Sequence, residues 1–316
     1  MKYKRLLAII LFAFIMTACE VTDKPTDVDP TPTTKQEATP TNIPETTPTN
    51  NPEVTPETTP TNIPEATEVN IENQEIYNKN GLKITATGFD VDGFLGPEIK
   101  LLIENESKSN VTIQTRNGYV NGYRMDLQMS CDVVAGKKAN DGITILSDDL
   151  ETSKVDTISE IEFSFYIFET DSWEDIAESE QIIVKTNMAD QYTQTYDDIG
   201  EILYEKNGLK VISKGLNSSI LGTELLLYVE NNSKENITIQ ADNVSVNGFM
   251  VNVLMSADIM PNKKAMTNLT ILTSELESNG IKDINDINEL EASFNIFKTD
   301  TFDTIEETQP IAIKVK

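Results

Sequence analysis

The sequence contains one long internal repeat, and this repeat limits the fold more than any other feature. Residues 96–114 and 222–240 share 11 identical residues over 19 aligned positions. The period is about 127 residues, the length of a whole domain rather than of a solenoid repeat. We therefore predict two tandem copies of one domain, at residues 71–187 (repeat 1) and 201–316 (repeat 2), joined by a linker at 188–200.

Each repeat is predicted to be an all-β sandwich with one short helix. Apolar and polar side chains alternate over residues 161–168, which is the period of a strand. On this strand Ile161, Phe163, Phe165 and Ile167 share one face, and Glu162, Ser164 and Tyr166 share the other. The Asn121-Gly122 pair predicts a tight hairpin in which both residues have positive φ. A helix is expected after Ser147, with this serine as its N-cap. About seven or eight short strands per repeat favour two packed sheets, as in immunoglobulin-like domains.

The first 18 residues have the pattern of a signal peptide. Positive residues precede a ten-residue apolar run at 6–15, which is too short for a transmembrane helix. Small residues then lead directly to Cys19, and this order resembles the bacterial lipobox. The resemblance implies that Cys19 is lipidated, starts the mature chain and anchors it to the outer face of the cell membrane. Ordinary secretion with cleavage near Ala18 is the alternative.

Residues 19–70 are predicted to form a disordered linker rich in threonine and proline. From Pro40 to Pro64 a proline occupies every fourth position. Proline fixes φ and removes a hydrogen-bond donor, so neither helix nor sheet is expected there. The segment would act as an extended spacer or as a plain flexible linker.

The composition excludes several classes of function. The chain has 25 Lys and Arg residues, 52 Asp and Glu residues and a formal net charge of −27, which argues against binding to nucleic acid. It has no histidine, which removes the commonest general base and a common metal ligand. Two cysteines cannot form a cysteine-rich zinc site. We therefore predict no enzymatic activity, no cofactor and no metal.

Two isolated motifs have simple structural interpretations. Asp90 and Asp92 resemble the start of a calcium loop, but repeat 2 has Asn217 near this position, so a solvated acidic turn is favoured. Cys131 corresponds to Ala257 in repeat 2, which indicates a small buried side chain rather than a redox thiol.

Five residues are candidates for ligand contact. Lysine pairs occur at matching positions of the two repeats, at Lys137-Lys138 and Lys263-Lys264. They could contact an anionic group, or they could be polar turn residues that protect an exposed strand edge. Trp173 is the only tryptophan and could stack on a sugar, although packing over the end of the sandwich is the favoured interpretation.

The region from 71 to 316 resembles the extracellular immunoglobulin-like, or telokin-like, domains found on lipoproteins of Gram-positive bacteria. The motifs that carry this resemblance are Asn80-Gly81-Leu82-Lys83, Glu104-Asn105 with Ser107-Lys108, Val120-Asn121-Gly122-Tyr123, and Ile167-Phe168 with Thr170-Asp171. The resemblance implies a fold and a location but supplies no site.

These observations together predict a lipid-anchored surface protein that presents two interaction domains. The expected partner is a protein of the cell envelope or the extracellular space. Two alternatives stay open, namely binding of cell-wall polysaccharide through Trp173, and a structural spacer without a tight ligand. Two copies of one domain would add avidity if both engaged a partner together.

Overall fold

The computed structural model of the chain describes residues 68–315. The expected signal peptide, the lipidated Cys19 and nearly all of the proline-rich linker lie outside the described residues. The described residues belong to one compact unit, and this unit contains both repeats.

Repeat 1 consists of eleven strands and one short helix. Its elements are β1 (Gln74–Lys79), β2 (Leu82–Asp90), β3 (Glu98–Asn105), β4 (Val111–Val120), β5 (Tyr123–Arg124), β6 (Leu127–Gln128), β7 (Ser130–Val133), β8 (Lys137–Ile145), α1 (Ser147–Thr152), β9 (Glu160–Glu169), β10 (Asp175–Glu178) and β11 (Ile182–Lys185).

Repeat 2 has the same eleven strands and helix in the same order, with one added 3₁₀ turn. Its elements are β12 (Glu201–Lys206), β13 (Leu209–Ser218), β14 (Gly222–Asn231), β15 (Ile237–Val246), β16 (Phe249–Met250), β17 (Val253–Leu254), β18 (Ser256–Ile259), β19 (Lys263–Leu272), α2 (Thr273–Ser278), the 3₁₀ turn Ile284–Asp286, β20 (Leu290–Lys298), β21 (Thr304–Glu307) and β22 (Ile311–Ile313).

Each repeat is a sandwich of two antiparallel sheets, so the predicted all-β, immunoglobulin-like fold is confirmed. In repeat 1 the first sheet has the order β1-β2-β3-β8-β6. The second sheet is centred on the paired strands β9 and β4. β10 and β11 pair with the other edge of β9, and β5 and β7 pair with the other edge of β4. Repeat 2 repeats these pairings strand for strand. Both sheets of each repeat bury one face against the other.

Alternating apolar residues fill the space between the sheets. Ile99, Leu101 and Ile103 of β3 are buried and face Phe163 and Phe165 of β9 in one core cluster. Burying one such side chain stabilises the fold by about 1.5–3 kcal/mol. The period-two pattern of the sequence thus identified the core face of β9.

A buried asparagine explains the Glu-Asn-x-Ser-Lys motif shared by the repeats. The Nδ2 group of Asn105 donates to the carbonyls of Ser109 and Val133 at 2.9 and 2.8 Å. Its Oδ1 accepts from the main chain and hydroxyl of Ser107 at 3.0 and 2.6 Å. Asn231 makes the same four kinds of contact in repeat 2. The motif therefore fixes the connection between the two sheets.

We expect Asn105→Ala to lower the free energy of unfolding by about 2 kcal/mol, because two carbonyls lose their donor in or near the core. Chemical denaturation monitors this loss. The exposed Asn78 is the matched control, and Asn78→Ala should change stability by less than about 0.5 kcal/mol. Equal losses in the two variants would contradict the role assigned to the buried amide.

The predicted hairpin is confirmed, and the predicted helix cap is wrong. Asn121 and Gly122 have φ values of 49° and 83°. Ser147 is the first residue of α1 rather than its N-cap, and the N-cap position belongs to Leu146 without a side-chain hydrogen bond. The N–H of Ser147 instead donates to the Leu95 carbonyl at 3.0 Å, which ties the helix start to the loop between β2 and β3.

Candidate functional site

The two repeats are joined by main-chain pairing. Tyr123 of β5 pairs with Lys264 of β19 in parallel orientation. The Lys264 N–H donates to the Gly122 carbonyl at 3.0 Å. This pairing links the second sheet of repeat 1 and the first sheet of repeat 2 into one sheet of eleven strands. We call this contact between the repeats the junction.

A buried ion pair lies beside the paired strands. Lys263 of repeat 2 pairs with Glu162 of repeat 1, and their side chains are only 18% and 8% exposed. The Met260 N–H donates to the hydroxyl of Tyr119 at 2.9 Å. The strand pattern puts Glu162 on the polar face of β9, yet this residue is buried because Lys263 covers it.

Tyrosine rings fill the centre of the junction. Tyr123 lies edge-on to Tyr196 of the linker at 5.3 Å and to Tyr228 of repeat 2 at 6.4 Å. The core of repeat 1 continues through these rings to Ile212 and Tyr228. Burial raises the pKa of Tyr119 and of Tyr123 to about 12, so both hydroxyls are protonated at neutral pH.

The linker is fixed to both repeats. Asp197 pairs with Lys154 of repeat 1 and with Lys214 of repeat 2, each at 2.7 Å. The hydrogen bond from Lys154, followed by that from Lys214, holds the pKa of Asp197 well below its usual range. Asn121 donates to the side chain of Gln194 at 3.1 Å. These contacts hold the repeats in one arrangement.

The structure separates the two lysine pairs. Lys263 and Lys264 lie in the junction, where Lys264 also sits over the Tyr196 ring at 4.3 Å. Lys137 and Lys138 occupy the matching positions of repeat 1 and are exposed. Lys138 pairs with Glu104, whereas Lys137 makes no ion pair with the residues that the structure describes. The four lysines therefore form no common site.

Repeat 2 exposes a group of large apolar side chains at the end of the sandwich away from the junction. Val253 and Thr223 both pair with Ile271, so β17 and the start of β14 flank the last residues of β19. Ile271 is seven residues from Lys264 along this strand, or about 20 Å. We call the exposed side chains around this end the apolar pole, namely Ile220, Leu221, Phe249, Met250 and Leu254.

One side of the apolar pole corresponds to the part of repeat 1 that forms the junction, whereas Ile220 and Leu221 correspond to Phe94 and Leu95, which are exposed in repeat 1 as well. Phe249 matches Tyr123, which is fully buried between the repeats. Phe249, Met250 and Leu254 are 50%, 64% and 56% exposed. Clustered large apolar side chains at a protein surface commonly mark a site of protein contact.

Both arginines of the described residues line one groove of repeat 1. The groove has a volume of about 740 Å³ and lies between β4, β8 and the segment 124–130. Arg124 pairs with Asp126 at 3.0 Å, and Arg116 lies over the Tyr166 ring at 3.5 Å. Four acidic residues line the same groove, namely Glu98, Asp126, Asp141 and Asp258. Because acids outnumber arginines, the lining has a net negative charge that disfavours an anionic ligand.

Trp173 is 74% exposed, so only part of its ring packs on the sandwich. It stacks on the buried Phe168 at a centroid distance of 5.3 Å, and its φ of 62° lies in the left-handed region. Phe302 repeats this arrangement on Phe297 with the same φ. An exposed aromatic residue therefore occupies the matching hairpin of each repeat, which the amino-acid difference had concealed.

The remaining candidates have local roles. Asp90 accepts from the Asp92 N–H at 3.1 Å and pairs with Lys100 at 3.2 Å. Between residues 68 and 315, no group of three or more metal-ligating side chains occurs. Cys131 is buried, and this burial raises the pKa of its thiol to about 12. In the same part of the chain, no helix has the length and apolar character needed to span a bilayer.

The residues of the junction were not singled out from the sequence. A signal was present at junction positions where one repeat has an aromatic residue and the other does not. Tyr119 corresponds to Ser245, and Tyr228 corresponds to Leu102. Such a difference indicates a surface that one repeat uses in the contact and the other does not.

Comparison with known proteins assigns no family. No family model matches the chain, and no curated protein matches it significantly. Among solved structures the chain is similar to the YadV chaperone at 11% sequence identity, over 68% of this chain and 92% of that chain. The TM-score is 0.23, and a similarity this low supports no inference about function.

Proposed function

We propose that the protein is a non-enzymatic binding protein anchored to the outer face of the cell membrane through Cys19. It presents two coupled immunoglobulin-like domains and binds a protein partner at the cell envelope through the apolar pole of repeat 2. The observation that carries this proposal is the exposure of Phe249, Met250 and Leu254 on one end of an otherwise strongly acidic protein.

The junction supports a protein as the partner. In repeat 1, the hairpin with Tyr123 at its tip contacts another folded domain through main-chain pairing and aromatic packing. The equivalent hairpin of repeat 2 keeps the large aromatic residue, as Phe249, and adds Met250. Methionine and aromatic residues are enriched at the centres of protein interfaces. The pole therefore has the composition of a contact surface.

Rigid coupling of the repeats also favours a binding role over a flexible spacer. Asp197 and Lys263 bridge the two domains through ion pairs. A preorganised arrangement reduces the entropy lost when a partner binds. The proline-rich segment before residue 68 would then supply the reach.

A second candidate function is binding of cell-wall polysaccharide. The observation that favours it is the series of stacked side chains formed by Arg116, Tyr166, Phe168 and Trp173 on one face of repeat 1. In this series Phe168 is buried and Trp173 is exposed, and an exposed aromatic ring of this kind can stack on the apolar face of a sugar. Repeat 2 has Asp242 and Asn295 at two of these positions, so only repeat 1 has the series.

One capture experiment separates these functions. The full-length chain is immobilised and exposed to native envelope extract, beside the double variant Phe249→Ser/Met250→Ser and the control Trp173→Ala. We expect the wild type and the Trp173 variant to capture the same protein, and the double variant to lose at least about tenfold of it, as for a central interface residue.

The other outcomes oppose the proposal. Capture of polysaccharide that depends on Trp173 would establish the second candidate instead. No capture by any variant would leave a structural spacer. Circular dichroism of each variant shows whether the fold is intact.

A further inference from the structure

β8 of repeat 1 corresponds to β19 of repeat 2, but its outer edge lacks the strand that pairs with the start of β19. In repeat 2, β19 is paired on its outer edge by β17 at Thr270 and Ile271, and by β5 of repeat 1 at Lys264. In repeat 1, β6 pairs with β8 only at Thr144 and Ile145. Among the described residues, the outer edge of β8 from 137 to 143 therefore has no strand hydrogen-bonded to it.

The charges at this edge are also incomplete. Lys263 has Glu162 as its partner across the junction. Its counterpart Lys137 has no ion-pair partner among residues 68–315, and the counterpart of Glu162, which is Glu291, has none in the same range. Both side chains are exposed. Within this range, repeat 1 thus has an unpaired lysine, and repeat 2 has an unpaired glutamate, at the positions that match the Lys263–Glu162 pair of the junction.

We propose that the partner of the apolar pole is a second copy of this chain, whose β8 edge it contacts in the manner of the junction. This inference rests on the proposed function, since it names the partner of the same surface. The hairpin of β16 then lies along β8, and the Lys138 N–H donates to the Gly248 carbonyl as Lys264 does to Gly122. Glu291 of one copy pairs with Lys137 of the next.

The apolar contacts have counterparts as well. Phe249 takes the place of Tyr123, and it meets Leu102 where Tyr123 meets Tyr228. Val134, which is exposed in repeat 1, takes the place of Met260. The contact uses different surfaces on the two copies, so it is heterologous, and it repeats from copy to copy unless a ring closes.

Charge exchange tests the proposal on the full-length chain. Sedimentation velocity at physiological salt is measured over a range of concentrations for the wild type, for Lys137→Glu and for Glu291→Lys. We expect the wild type to associate with rising concentration, and each variant alone to associate at least about tenfold more weakly, because like charges then meet. An equimolar mixture of the two variants should associate as the wild type does.

Two control variants have the same charge changes at exposed sites away from the contact. They are Lys79→Glu on β1, which is separated from β8 by two strands of the sheet, and Glu178→Lys on β10. They should associate as the wild type does, alone and mixed. A wild type that stays monomeric at every concentration overturns the proposal, and so does association that the charge exchange leaves unchanged.

Failure of this inference and failure of the proposed function would give different experimental results. If the chain is monomeric while the Phe249→Ser/Met250→Ser variant still loses an envelope protein, the pole binds a different protein. If the wild type neither associates nor captures a protein, both proposals are wrong.

Discussion

Replacing Glu162 with Gln is expected to lower the free energy of unfolding by about 3 kcal/mol and to uncouple the two repeats. The change leaves the ammonium group of Lys263 in the junction without its counter-charge, and loss of one partner of a buried pair costs about 3–5 kcal/mol. The lower value applies because Lys263 keeps 18% of its side chain exposed. Differential scanning calorimetry should then show two transitions instead of one.

Glu291→Gln is the matched control. Glu291 occupies the same position in repeat 2, but it is exposed and has no ion-pair partner among the described residues. Measured at low protein concentration, this variant should lose less than about 0.5 kcal/mol. A similar loss in both variants would show that the ion pair does not hold the junction.

A rise in pH above 10 is expected to destabilise the protein strongly. Burial raises the pKa of Tyr119 and Tyr123 to about 12, whereas an unfolded tyrosine titrates near 10. The folded state therefore binds the tyrosine protons more tightly. Its advantage is complete below about pH 10 and is lost as the pH rises to about 12, on the order of 5 kcal/mol for both groups. Denaturation at fixed pH values measures this change.

Tyr119→Phe isolates the contribution of the junction. This variant loses the hydrogen bond from Met260, which costs about 1 kcal/mol at neutral pH. Between pH 10 and 12 it should lose about 2.5 kcal/mol less stability than the wild type, which is the share assigned to Tyr119. Burial also raises the pKa of Tyr228 and Tyr196. These tyrosines, the buried thiol of Cys131 and several lysines with raised pKa values titrate in the same direction in both proteins, so they cancel in the comparison. An unchanged alkaline loss would rule out Tyr119 as a source.

Local patterns in the sequence were sufficient to predict the β-sandwich fold. The alternation over residues 161–168 identified the buried face of β9, and Asn121-Gly122 identified a hairpin with positive φ. These signals depend on neighbours in the chain and on the period of the strand. The repeat itself predicted that both domains share one topology, as the matched strand order shows.

The candidate site depended on contacts that no local pattern contains. Glu162 belongs to the polar face of β9 by its spacing, and only the approach of Lys263 from about 100 residues away buries it. Trp173 was expected to pack over the end of the sandwich, but it is 74% exposed and stacks only one face of its ring on Phe168. The apolar pole is recognisable only when Phe249 is compared with the buried Tyr123 in three dimensions.

The anchored linker has a consequence for how strongly the two repeats must attract each other. A short connection such as residues 188–200 holds two domains at an effective concentration in the millimolar range, so even a weak contact within one chain is almost fully formed. The same pair of surfaces on separate copies lacks this advantage. A contact that is complete within one chain would therefore, between separate copies, depend on the concentration of the chains.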